Sequence, residues 1–151
     1  MTQLIASFHS HGAEETVRWG KEFGKGLTEG TILAFSGDLG SGKTTLIKGI
    51  VSGILEDINP EQVTSPTFIY FTVYQSRLGK SVCHFDLYRL KDHFSFLEAG
   101  FEEYLFGKGV VCIEWSERIS SILPPHTLHI SLQPLSEKER LIQVWNKNEV
   151  T

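Results

Sequence analysis

Gly37-Asp38-Leu39-Gly40-Ser41-Gly42-Lys43-Thr44 has the spacing G-x-x-x-x-G-K-[ST], and it constrains this chain more than any other stretch. An apolar run, Thr31 to Ser36, precedes it, and Thr44 to Leu55 follows with apolar residues at helical spacing. A strand that enters a glycine-rich loop and leaves as a helix is one βα unit of a parallel sheet. The chain is therefore expected to be an α/β protein.

The residue types explain the spacing. Gly37, Gly40 and Gly42 allow backbone conformations barred to residues with a Cβ, so successive N–H groups from about Leu39 to Thr45 can turn inward towards phosphate oxygens. The helix beginning near Lys43 adds its positive end. Lys43 supplies an ammonium for β- and γ-phosphates, and the Thr44 hydroxyl is placed to ligate magnesium. Gly37 through Thr45 are thus the expected phosphate-binding residues.

Length and charge narrow the possibilities. The 151 residues suit one domain spanning 1–151. With 14 basic against 18 acidic side chains, net charge −4, the chain lacks the basic excess of a protein that grips nucleic acid broadly. No run of 18 apolar residues and no cationic-then-apolar leader is seen, so a cytoplasmic location is expected. Cys83 and Cys112 each sit in an apolar run and read as buried hydrophobes, not as a disulfide. The six histidines are scattered. His9 with His11, and His126 with His129, have no further ligand nearby in sequence and read as non-ligands, so no structural metal is expected.

Along the chain, Gln3 to Phe8 reads as a strand, Ser10 as a helix cap, and Ala13 to Leu27 as a helix buried along Ala13, Val17, Gly20, Phe23 and Leu27. Leu46, Ile47, Ile50, Val51, Ile54 and Leu55 form the core stripe of the next helix. Asn59-Pro60 and Ser65-Pro66 make 56–67 a loop. Phe68 to Gln75 and Ser81 to Tyr88 read as a hairpin, 94–106 as two helices broken at Gly100, and Val110 to Trp115 as a buried central strand. Thr127 to Leu132 and Leu141 to Trp145 flank Ser136-Glu137-Lys138-Glu139 as a second hairpin. The expected sheet is mixed, a largely parallel centre with antiparallel hairpins at its edges, in a three-layer fold like that of P-loop NTPases.

A phosphate loop of this kind needs an acid at the tip of a neighbouring strand to hold magnesium or its waters. Glu114 follows four apolar residues, where an unpaired carboxylate would be costly. Asp86 ends the other apolar strand, on the same face as His84. Ser65-Pro66-Thr67-Phe68 occupies the place of a segment that orders around the γ-phosphate. Trp115 and Tyr88 read as packing residues, and Arg89, Lys91 and Arg118 as solvated. ATP is favoured over GTP, because the chain has no DxxG element and its nearest guanine-type motif, Asn146-Lys147-Asn148-Glu149, carries the wrong acid in an expected tail.

Four blocks in this order resemble the TsaE family, formerly YjeE, of small bacterial ATPases in tRNA threonylcarbamoyladenosine synthesis. They are Gly37 to Thr45, Ser65 to Phe68, His84-Phe85-Asp86-Leu87-Tyr88-Arg89-Leu90 and Ile113-Glu114-Trp115-Ser116-Glu117-Arg118. The resemblance implies that Lys43 and Thr44 bind phosphate and magnesium, that Glu114 holds the Walker B position, that Asp86 lies beside the metal or the attacking water, and that Thr67 belongs to a switch-like loop. It also implies an adenine pocket between about His11 to Thr16 and the last hairpin, with Arg140 as the candidate. Asp92-His93-Phe94-Ser95 departs from the more acidic segment of relatives. The implied partners are TsaB and TsaD, with tRNA engaged indirectly through them, and the implied cofactors are ATP and Mg2+. Two other readings remain open: a small-molecule P-loop kinase in which Asp86 activates a hydroxyl, and a nucleotide-dependent binding module with little catalysis. The absence of an arginine-rich lid favours water as acceptor, and the absence of an evident arginine finger implies slow turnover without partners.

Overall fold

The structure is a computed structural model and describes residues 2–38, 40–66 and 69–147. Its elements run β1 (Thr2–Ser10), α1 (Ala13–Lys25), β2 (Ile32–Ser36), α2 (Lys43–Ile54), β3 (Phe71–Gln75), β4 (Ser81–Asp86), α3 (His93–Glu98), α4 (Glu102–Leu105), β5 (Val110–Glu114), β6 (Leu128–Pro134) and β7 (Arg140–Lys147). Seven strands form one sheet in the order β1-β7-β6-β2-β5-β4-β3. The four central strands, β6, β2, β5 and β4, run parallel, and the pairs β1–β7, β6–β7 and β3–β4 are antiparallel. This is the expected mixed architecture, with β1 added outside the second hairpin.

Strand alternation divides the core into two layers. Leu33 and Phe35 of β2, Val82 of β4 and Val110 and Cys112 of β5 pack with the α2 stripe. Ile32, Phe85, Val111 and Ile113 face the opposite way, against Phe96 of α3, Leu105 of α4 and Ile119. Each fully buried Leu, Ile or Phe in these layers contributes roughly 1.5–3 kcal/mol. Cys83 and Cys112 are buried free thiols. Burial pushes the Cys83 thiol up to about 12 and raises Cys112 as well.

Glycines set the distance between α1 and α2. A Cβ at Gly53 would stand 2.1 Å from the Lys21 carbonyl oxygen, at Gly49 2.3 Å from that of Val17, and at Gly24 2.4 Å from that of Ile50. All three contacts are with backbone, so no side-chain movement relieves them. The helices consequently lie closer than Leu-lined helices can, and α1 is fixed against the helix that leaves the phosphate loop.

Several local expectations are corrected. Ser10 is not the cap of α1; Gly12 holds that place, while Ser10 Oγ donates to the Gly12 carbonyl at 2.8 Å and lies 2.6 Å from Thr16 Oγ1. The buried positions of α1 are Thr16, Gly20 and Gly24, and Ala13 is exposed. Gly20 is buried as expected, and Phe23 and Leu27 pack half-buried against the core, but the close backbone approach also buries Thr16 and Gly24, which hydropathy does not mark. The 56–67 segment contains a single 3-10 turn, Pro60–Gln62, with a reciprocal Asn59–Gln62 capping box. β5 ends at Glu114, because Trp115 turns into the left-handed region at φ 59° and a 3-10 stretch, Ser116–Ile122, follows. Asn146 and Lys147 belong to β7, paired with Leu128 and the start of β1, instead of a tail. Asn148 and Glu149 lie outside the described residues.

Candidate nucleotide site

The phosphate loop leaves β2 at the centre of the sheet and enters α2 through Gly42, the helix N-cap. Gly37, Gly40 and Gly42 all have positive φ, 146°, 78° and 101°. Gly37 carries a steric requirement as well, since a Cβ there would meet Ser41 Oγ at 2.7 Å and the Leu132 carbonyl at 2.9 Å. Leu39 lies outside the described residues. The buried Ser41 hydroxyl has no hydrogen-bond partner.

Lys43 is almost wholly enclosed, with 5% exposure. Its ammonium donates to the Gly37 carbonyl and lies 4.0 Å from the centroid of the Trp115 ring. Burial holds this lysine below the usual range, against the opposing pull of Glu114, Glu117, Asp86 and Asp38. Trp115 therefore packs, as expected, but also shapes the site through a cation–π contact that the left-handed turn after Glu114 makes possible. Tyr88 packs against it in a tilted arrangement, ring centroids 5.1 Å apart.

Parallel pairing brings the acids together. Asp86 and Glu114 are direct register partners at the tips of β4 and β5, and both are buried. Thr44 Oγ1 donates to Glu114 Oε1 at 3.1 Å. The other carboxylate oxygen, Oε2, lies 2.7 Å from His84 Nε2, and this histidine is fully buried. Asp86 accepts from Ser65 Oγ at 2.6 Å and from the Tyr88 backbone N–H at 3.0 Å. Thr67 lies outside the described residues.

Sequence reasoning sets His84 on the Asp86 face, two residues back along β4, but assigns it no task in the site. An imidazole beside a carboxylate fixes the carboxylate's orientation. The signal available in sequence was the His-x-Asp spacing ending one apolar strand, read together with the glutamate ending another.

Arg140 sits at the far side of the loop. Its Nε donates to the Ser41 carbonyl at 2.9 Å and one terminal nitrogen to that of Gly40 at 3.2 Å. The other terminal nitrogen donates to the carbonyls of Ser136, Glu137 and Glu139. The guanidinium ties the β6–β7 turn to the phosphate loop. Arg118, expected to be solvated, donates to the Tyr88 carbonyl at 3.5 Å.

Two cavities flank the loop and share Gly40, Gly42 and Thr45. One, of about 380 Å³, is lined by Lys43, Thr44, Ser65, Asp86, Tyr88, Glu114 and Trp115. The other, of about 610 Å³, lies between residues 11–16 and the hairpin residues Glu137, Lys138 and Arg140. The second lies where the family resemblance implies an adenine pocket, and its volume is that of a small-molecule site.

A glycine cradle on a parallel strand, followed by lysine, a hydroxyl and a buried acid from the next strand tip, defines a protein of the P-loop α/β class. The similarity to known proteins is specific within that class. The family described as "Threonylcarbamoyl adenosine biosynthesis protein TsaE" matches residues 10–142. A Treponema pallidum protein named tRNA threonylcarbamoyladenosine biosynthesis protein TsaE is 41% identical over 135 residues, 89% of this chain and 96% of that one. A protein of the same name from Aquifex aeolicus is 31% identical over 145 residues, covering 96% and 99%. The crystal structure of YdiB from Bacillus subtilis superposes with a TM-score of 0.76 at 28% identity, over 97% of this chain and 87% of that one. The chain belongs to the TsaE family. Among the described residues no helix is long and apolar enough to cross a membrane.

Proposed function

We propose that this chain is a magnesium-dependent ATPase of tRNA threonylcarbamoyladenosine synthesis, hydrolysing ATP to reset a TsaB–TsaD complex between turnovers. The observation that carries this reading is the 3.1 Å contact between Thr44 Oγ1 and Glu114 Oε1. A hydroxyl from the first turn of α2 and a carboxylate from the adjacent strand tip are hard oxygen donors, the set that suits magnesium. Thr44 would ligate the ion directly, with Glu114 and Asp86 holding it or its waters. Magnesium, when bound, supplies charge neutralisation on the β- and γ-phosphates.

The remaining side chains have definable tasks. Lys43 exchanges its Gly37 carbonyl for a phosphate oxygen, and the unpartnered Ser41 hydroxyl gains an acceptor in the same cradle. His84 keeps the Glu114 carboxylate in one orientation while Thr44 engages the ion. Asp86, bonded to Ser65, orients the attacking water and links the strand tip to the loop that continues to Thr67, the proposed switch. Adenine enters the cavity beside residues 11–16. Arg140 contributes to nucleotide binding by holding the loop's carbonyls outward, so that its N–H groups face phosphate.

Arg140 is committed to main-chain carbonyls and Arg118 to that of Tyr88, which supports slow turnover by the chain alone and completion of the site by a partner. The test is phosphate release from ATP with and without TsaB–TsaD, in magnesium and in EDTA. Slow magnesium-dependent release that rises with the pair supports the proposal. Release that is equal with and without the pair, or independent of magnesium, overturns it.

A further inference from the structure

The geometry points to a second metal site, at the rim of the cavity that His11 lines and away from the Thr44–Glu114 pair, in which His9, His11 and Glu139 hold a zinc-class divalent ion. One ring nitrogen of each histidine and one Glu139 oxygen lie within 4.8 Å of one another. His9 Nε2 and Glu139 Oε1 are 2.7 Å apart, and the His9 and His11 rings stack at 4.5 Å.

Strand geometry explains the convergence. His9 lies in β1 and His11 just beyond its last residue, Ser10. The β1–β7 register pairs His9 with Leu141 and ends at Ser10 with Arg140, so the chain segments carrying His11 and Glu139 leave the two strands at the same end of the sheet. Ser10 alternates inward and is buried, whereas the side chains of His9 and His11 are 47% and 63% exposed and open to an ion from solvent.

The donor chemistry is selective. Two imidazoles and one carboxylate are a recognised ligand set for zinc, with a fourth position left to water, and imidazole favours zinc, nickel or copper over magnesium. His11 Nδ1 is 3.0 Å from Glu15 Oε2, a carboxylate contact of the kind that orients a ligating histidine. Tetrahedral zinc needs donors about 3.3 Å apart, a contraction that exposed side chains at a strand end make by rotation. Glu139 directly precedes Arg140, the residue that grips Gly40 and Ser41. An ion here would fasten the hairpin tip to β1 and limit movement of that grip.

The experiment titrates the full chain with Zn2+ alone against a chelating fluorescent indicator, with Mg2+ as the competing ion. One equivalent is expected to bind and to resist excess Mg2+. His9→Ala and His11→Ala are each expected to weaken zinc at least about tenfold, as is Glu139→Gln, and Glu15→Gln by a smaller factor. Lys138→Ala should leave it unchanged. Circular dichroism of each variant checks the fold. Absence of stoichiometric binding at micromolar protein overturns the site. So does binding that survives both histidine substitutions, which would place the zinc elsewhere.

Discussion

The two ends of the nucleotide cleft are built differently. At the phosphate end, Lys43, Asp86 and Glu114 are all buried and come from adjacent parallel elements, with each acid anchored by a second residue. At the other end, residues 11–16 and 137–140 are exposed or half-buried except Thr16 and meet because β7 pairs with β1 from the other extreme of the chain. Buried groups in fixed geometry suit chemistry, where small displacements are costly. An open cavity closed by a hairpin suits binding and release. Under the proposed function, the difference would place turnover at one end and nucleotide affinity at the other.

Substitutions at the two ends should separate those quantities. The largest effect is expected for Lys43→Ala, which removes a buried cation from the phosphates and should lower turnover by about 10²–10³-fold, with the circular dichroism spectrum unchanged. Next is His84→Leu, which leaves Glu114 held only by Thr44. A loss of about 10–100-fold in turnover or magnesium affinity is expected. His84→Gln, which keeps a nitrogen donor near Oε2, should recover much of it. Failure of that rescue would make His84 a packing residue only. Arg140→Ala releases the loop carbonyls from the hairpin and should weaken ATP binding about tenfold while leaving turnover at saturating ATP nearly unchanged, the signature of a residue that shapes binding and not the chemical step. An equal fall in turnover would erase the contrast between the ends.

A smaller effect tests the helix pair that both ends share. Gly53→Ala sets a methyl against the Lys21 carbonyl, and thermal unfolding should register a loss of about 1–3 kcal/mol.

The phosphate end was legible in sequence because its chemistry is local. The glycines, Lys43 and Thr44 lie within eight residues, and each acid terminates an apolar strand whose parallel neighbour is set by one βα crossover. Even there, the bond from His84 to Glu114 joins residues 30 apart and needs the β4–β5 register to be seen. The other end was legible only as a region. Arg140 could be named from its hairpin, but its contacts with Gly40 and Ser41 span about a hundred residues. The His9, His11 and Glu139 cluster was invisible for the same reason, since the histidines' partner lies 130 residues away. The α1 stripe was legible in part: Gly20 is buried and Phe23 and Leu27 pack against the core, but Thr16 and Gly24 were missed, since hydropathy favours large apolar side chains whereas the α1–α2 contact is made largely by glycines.

The most direct measurement is a crystal structure of the chain with Mg2+ and a non-hydrolysable ATP analogue. The account predicts phosphate oxygens within the Gly37–Thr44 cradle and magnesium about 2.1 Å from Thr44 Oγ1, with Glu114 bound to it directly or through one water. A metal held away from Thr44 and Glu114, or phosphates outside the cradle, would contradict it.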